Sequence, residues 1–165
     1  MKKLILTLAL VAMGTVAYAQ DNVDNISATA AVQAPLTVDG VEDLEFGDVF
    51  PGVEKTIART DAGAGKFEIV GQNSATVFLN FDLPTQLANA TPTNMPVSFS
   101  ATSAGTNTTD TQGTAVDTNP NTEDISKTLS ASGELFVWLG GTVDPDIGQE
   151  AGNYSATVTL TVTYD

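Results

Sequence analysis

The sequence predicts an all-β protein, an antiparallel β-sandwich of about eight to nine strands. Three observations carry that reading. Residues 154–164 alternate without an error: Tyr154, Ala156, Val158, Leu160, Val162 and Tyr164 are apolar, and Ser155, Thr157, Thr159, Thr161 and Thr163 are hydroxylic. Period-two alternation rich in β-branched residues marks a strand with one buried and one wet face. Shorter runs of the same kind recur along the chain with turn residues between them. After the N-terminal apolar run, no segment has the length and periodicity of a helix; residues 87–90 are too short to count.

The first residues read as a targeting segment. Met1-Lys2-Lys3 is a basic start, residues 4–16 are an apolar run, and Ala17-Tyr18-Ala19 fits a small-residue cleavage rule. A signal peptide over 1–19 predicts export through the periplasm to the extracellular space or cell surface, with no membrane insertion of the mature chain. The rest suits one domain. With no cysteine in the chain, stability must come from burial and sheet pairing. Twenty acidic against six basic residues give a net charge of −14, which argues against nucleic acid and anionic membranes as partners.

In chain order, residues 26–38 read as a first strand, with Ile26, Ala28, Ala30 and Val32 on one face and Pro35 interrupting. Asp39-Gly40 is a turn signal. Residues 44–49 alternate and are closed by Phe50-Pro51-Gly52, a type II turn signal. Residues 55–60 and 66–70 are short strands flanking a flexible Gly/Ala connection. Asn73-Ser74 turns the chain into a strand over 76–83, with Val77, Leu79 and Phe81 on one side. Residues 95–101 follow, with Val97 and Phe99 inward. Residues 102–124 are Ser, Thr, Asn, Gly, Asp and Pro with almost no large apolar side chain, and predict a long exposed loop. Residues 125–131 are a strand, Ser132-Gly133 a turn, and Leu135-Phe136-Val137-Trp138-Leu139 a central strand apolar on both faces. Gly140-Gly141 predicts a bulge before Thr142-Val143. The strand spacing suits a sandwich of immunoglobulin-like type, without the Cys–Trp–Cys signature of antibody domains.

Three motifs carry a resemblance: Leu44-Glu45-Phe46-Gly47-Asp48-Val49-Phe50-Pro51-Gly52, then residues 133–143 around Trp138, then Ala151-Gly152-Asn153-Tyr154-Ser155 with the Thr-rich strand. Over roughly residues 26–165 the chain resembles secreted bacterial immunoglobulin-like domains of unknown function, related to the major subunit of the Mat/Ecp common pilus and to spore-coat-U-like pilins. The motifs are turn glycines and strand patterns, so they bear on fold more than on role. The long polar segment 102–124 and the acidity depart from that pattern. The resemblance implies a fold lacking its last strand, completed by the N-terminal extension of a neighbouring copy. It also implies a periplasmic chaperone and an outer-membrane assembly protein as partners.

Catalysis finds little support. The chain has no histidine, so no Ser–His or Cys–His arrangement is possible. Among twenty acids, carboxylate pairs arise by chance. Residues 117–123 place oxygen side chains at alternate positions, like half a calcium loop. Thr122 stands where such a loop needs glycine and Thr128 where it needs glutamate, so the segment reads as an ordinary loop. No catalytic residue, metal ligand or cofactor is expected.

The expectation is therefore a non-enzymatic structural subunit of a surface fibre. Its domains are 1–19 signal peptide, 20–38 extension or first strand, and 39–165 sandwich. Ile26, Ala28, Ala30 and Val32 would be donated to copies of the same chain. The groove beside 154–164, lined by Phe136, Trp138, Val158, Leu160, Val162 and Tyr164, would accept them. The competing expectation is a monomeric secreted or surface-attached module, binding carbohydrate or another surface component through 102–124, with 26–38 simply its first strand.

Overall fold

A computed structural model describes residues 24–90 and 93–165. The predicted signal peptide lies outside them. The chain divides after Ala31: residues 32–165 form one compact unit, and residues 24–31 contain neither strand nor helix.

The compact unit is all-β, and its only helical element among the described residues is a 3-10 turn at Gln112–Thr114. Its strands are β1 (Thr37–Glu42), β2 (Lys55–Ile57), β3 (Gly65–Val70), β4 (Thr76–Asp82), β5 (Gln86–Leu87) and β6 (Met95–Ser98). They continue with β7 (Ala104–Asn107), β8 (Val116–Thr118), β9 (Ile125–Thr128), β10 (Glu134–Leu139), β11 (Gly141–Val143) and β12 (Thr159–Tyr164). Every pairing is antiparallel, in a five-stranded sheet β1-β3-β10-β7-β8, a four-stranded sheet β2-β11-β6-β5 and a three-stranded sheet β12-β4-β9. The sandwich is as predicted, with more and shorter strands than the eight or nine expected.

Alternation explains how the layers close. Ile69 of β3 and Leu135 and Val137 of β10 meet Val77 and Leu79 of β4 and Leu160 of β12 in the main core, all nearly or fully buried. A second core lies further along, where Met95 and Val97 of β6 and Val143 of β11 gather Phe46, Val49, Leu87, Phe99 and Tyr154. β10 and β11 are one run broken at Gly140. A side chain there would strike the Ile57 carbonyl, so glycine is what lets the run cross from one sheet to the next.

Several expectations need correction. The predicted strand 26–38 begins only at Thr37, because Pro35 breaks the run and the residues before it join no ladder among the described residues; Ala34 bonds only to the Gln72 side chain and the Tyr164 hydroxyl. Asp39-Gly40 is not a turn: both residues sit in β1, opposite Glu68 and Phe67. Residues 44–49 form no ladder, and the alternating stretch 154–164 pairs as a strand only from Thr159, with an isolated bridge at Ser155–Ala88. The connection at 61–65 is not slack: Asp61 N–H donates to the Ala58 carbonyl, Ala64 N–H donates to the Asp61 carbonyl, and Gly65 already belongs to β3.

The largest correction is 102–124. Instead of an exposed loop it supplies β7 and β8, which extend the five-stranded sheet past β10. The segment orders itself with small residues and hydrogen bonds. Ala104 and Thr106 are buried, and the Thr106 and Thr118 hydroxyls lie 3.2 Å apart. Gln112 donates its amide to the carbonyls of Arg59 and Asp61. Arg59 lies across Gly105 to reach Asp117. The turn signals fare better: Val53 N–H donates to the Phe50 carbonyl over a Gly52 at φ +73°, and Gly133 turns at φ +87°.

Candidate functional site

Two stretches of the compact unit turn apolar side chains inward but belong to no ladder. One is 43–49, where Leu44, Phe46 and Val49 turn inward and Asp43, Glu45 and Asp48 turn out. It is held at Glu45, whose N–H donates to the Gly63 carbonyl, and at Asp48, whose carbonyl accepts from Lys55 Nζ. Its close approach is possible because Gly63 and Gly65 lie beneath it. Residues 46–49 make no backbone–backbone hydrogen bond among the described residues. The other stretch is 154–158, where Tyr154 and Val158 are half-buried and Ser155, Ala156 and Thr157 are exposed. Ser155 exchanges both main-chain hydrogen bonds with Ala88, and 156–158 make none to the described backbone.

Between these two lips lies an open groove of about 750 Å³. Its floor runs from the second core at Met95, Val97 and Val143 to Phe67, which packs on the main core, and the end of β10 at Leu139. The lips are the 42–49 and 152–158 main chains. Tyr154 is fixed at one side, its hydroxyl donating to the Glu150 carbonyl and accepting from the Gln149 amide at 2.8 Å. Hydrogen bonds from Thr93, Gln149 and Asn89 hold its pKa below the ordinary tyrosine value.

Main-chain direction makes the second lip an open edge. In an antiparallel ladder, the N–H and C=O of successive residues point to opposite sides. Ser155 points to Ala88, and Asp165 N–H points to the Thr76 carbonyl, so the odd residues face β4 and β5. The main-chain groups of Ala156, Val158, Leu160 and Val162 therefore face away from that sheet, along an edge of β12 that no strand among the described residues covers. An unpaired sheet edge is a template for another strand.

The predicted acceptor residues separate. Val158 lines the groove. Leu160, Val162 and Tyr164 belong to the closed main core. Tyr164 shuts that end: its hydroxyl donates to the Ala34 carbonyl and accepts from Gln72 N–H at 2.6 Å. Phe136 and Trp138 lie on the opposite face of β10 from Leu135, Val137 and Leu139, where they pack with Ala115 beneath the β7–β8 segment. Their partner there is Lys66, whose Nζ sits 5.3 Å from the Phe136 ring and 2.7 Å from Asp110. Sequence reasoning missed the 42–49 lip and the floor at Met95 and Val143. The alternation at Leu44 and Phe46 was the available signal. Among the predicted donors, Ile26 is 96% and Val32 97% exposed, and Ala28 and Ala30 are exposed too.

The calcium-like segment spends its oxygens internally. Asp117 holds Arg59, and Asn119 accepts from Asn121 N–H, while the Asn121 amide donates to the Phe99 carbonyl.

Residues 36–164 match the model of the family described as Domain of unknown function (DUF4402). The chain belongs to this family. The match spans the compact unit from just before β1 to the end of β12, and so includes both lips of the groove. No curated protein matches the chain.

Proposed function

We propose that this DUF4402 chain is a structural subunit, exported to the cell surface, that assembles with copies of itself by strand complementation. Residues 26–32 of one copy would fill the 42–49/152–158 groove of another. The reading rests on one observation: two stretches that line one groove and turn apolar side chains inward have no strand between them among the described residues. A complementing strand would give their main chains a partner and cover the apolar floor.

The donor fits in length and character. Residues 26–32 span roughly 20 Å from first to last Cα at about 3.4 Å per residue, and the 42–49 lip spans roughly 24 Å. Ile26 and Val32 are both fully available. Burying each is worth about 1.5–3 kcal/mol, against the cost of ordering the strand and joining two molecules. Head-to-tail repetition of such a contact does not close, so the product is a fibre. A fibre of this kind needs no catalytic group. Its partners would be other copies, with a periplasmic chaperone and an outer-membrane assembly protein delivering them.

Deleting residues 20–33 tests the proposal. The expected product is a folded subunit that stays monomeric by sedimentation, while the chain from Gln20 onward forms filaments visible in negative stain. A full-length mature chain that remains monomeric at high concentration, and unfolds on this deletion, would show the segment to be an internal strand.

A further inference from the structure

The groove runs between Glu42 and Val158 at one end and Val49 and Gly152 at the other, and the register of the sheets turns these ends toward opposite poles of the compact unit. One pole holds Leu36, Gly71, Gly133 and Tyr164, for Thr37 pairs with Val70, Val70 with Glu134, and Gly71 N–H donates to the Gly133 carbonyl. Along the sheets in the other direction come Glu42 opposite Lys66, Leu139 opposite Gly65, and Val143 opposite Lys55. Beyond them the loops 50–53 and 144–148 meet, with Gly52 N–H donating to the Pro145 carbonyl at 2.9 Å.

The first pole is closed, since Tyr164 is tied to Ala34 and Gln72 and the chain itself enters the sandwich there. The second pole is open and apolar. Phe50 is 69%, Val53 55% and Ile147 92% exposed on two loops joined at Gly52. Phe50 directly follows the Val49 end of one lip. Three large apolar side chains gathered at the mouth of a groove mark a contact surface more than scattered exposure does.

We infer that a second copy enters the groove from this pole, and that Phe50, Val53 and Ile147 seat the body of that copy. This rests on the strand-complementation reading above. The occupant follows from where the donated segment leaves its own molecule. That segment runs into β1 at the closed pole, so a head-to-tail neighbour presents its closed pole to this open one. Its residue 32 then lies near the mouth and residue 26 lies deep. The inserted strand runs antiparallel to residues 152–164 and parallel to β1. Self-insertion would force the reverse direction, through a hairpin at 33–36. A strand alone is a small interface beside the ~800 Å² per partner that stable complexes bury, and the three exposed side chains supply what it lacks.

The absence of cysteine makes this directly readable. In the chain from Gln20 onward, Gln33→Cys is combined with Ile147→Cys, and separately Asn25→Cys with Ile147→Cys. Oxidised assemblies are run on non-reducing gels. The expected result is a ladder of disulfide-linked oligomers from the first pair and none from the second, because residue 25 would lie roughly 27 Å deeper and disulfides need Cα atoms within about 7 Å. Oligomers from the second pair would overturn the direction. Filaments with neither cross-link would overturn the groove as the contact while leaving polymerisation standing. Monomers alone would overturn both. Independently, Val53→Asp with Ile147→Asp is expected to slow filament growth at least tenfold with unchanged Tm. Val116→Asp, exposed on β8, is expected to leave growth unchanged; equal effects from the two would remove the seat.

Discussion

Gly140 is the residue on which the passage of β10 into β11 depends. A Cβ there would press on the Ile57 carbonyl and lie 2.7 Å from Arg59 N, so backbone and not a flexible side chain would have to move. Gly140→Ala is expected to cost about 2–4 kcal/mol by urea denaturation, as strain in a packed interior does. Gly148 is the control: a Cβ added there would meet nothing within 4 Å, and Gly148→Ala should stay within about 0.5 kcal/mol. Lys127 gives a pH-dependent counterpart. It lies half-buried in β9 opposite Val77, and burial lowers its pKa from 10.5. The unfolded chain therefore binds more protons between the lowered value and 10.5, and stability rises with pH through that window. At pH 7 the fold bears the whole cost of holding the charge. Lys127→Met is expected to raise the denaturation midpoint at pH 7, with the gain shrinking as pH approaches 10.5. An advantage independent of pH would assign the effect to packing instead.

At the scale of elements, the β7–β8 segment shows how a polar stretch is ordered without a core of its own. Arg59 covers Gly105 and pairs with Asp117, and the buried Lys66 pairs with Asp110. Because Asp117 is more than half exposed, the ion pair itself is screened, and the Arg59 contribution is mainly the packing of its stem. Arg59→Ala is expected to cost about 1–2 kcal/mol and to raise amide exchange across 104–118 while leaving β4 and β12 protected. Uniform loss of protection would instead make this segment part of the folding unit as a whole. Composition could not reveal it, since Ala104, Thr106 and Thr118 are buried by neighbours distant in sequence. The strands at 66–70, 76–82 and 134–139 were legible because each buries large side chains of its own. Tyr154–Val158 and Leu44–Val49 were legible as alternating runs but not as unpaired ones, for period two reports which face is buried and is silent about the neighbour in the sheet. That also misplaced Phe136 and Trp138: a strand buried on both faces gives no sign of which face meets the groove.

At the scale of the whole molecule, the proposed assembly would bring together copies that carry the same sign of charge. The chain carries −14, and the open pole is bordered by exposed Asp48, Glu54, Asp144, Asp146 and Glu150. In that proposal a second copy would have to cross this repulsion before any apolar contact formed. Screening shortens its reach from about 30 Å at 0.01 M ionic strength to about 3 Å at 1 M. Filament growth followed by light scattering is therefore expected to accelerate with NaCl, roughly tenfold between 0.02 and 0.5 M, while the seeded and unseeded products look alike. Calcium and sodium chlorides at matched ionic strength should act about equally if screening is the cause. A calcium effect at micromolar concentration would instead require a specific cation site between copies. Growth that slows with salt would mean that opposite charges drive the encounter. In that case Lys55, whose Nζ already bonds the Asp48 carbonyl beside the groove, is the cation to substitute first.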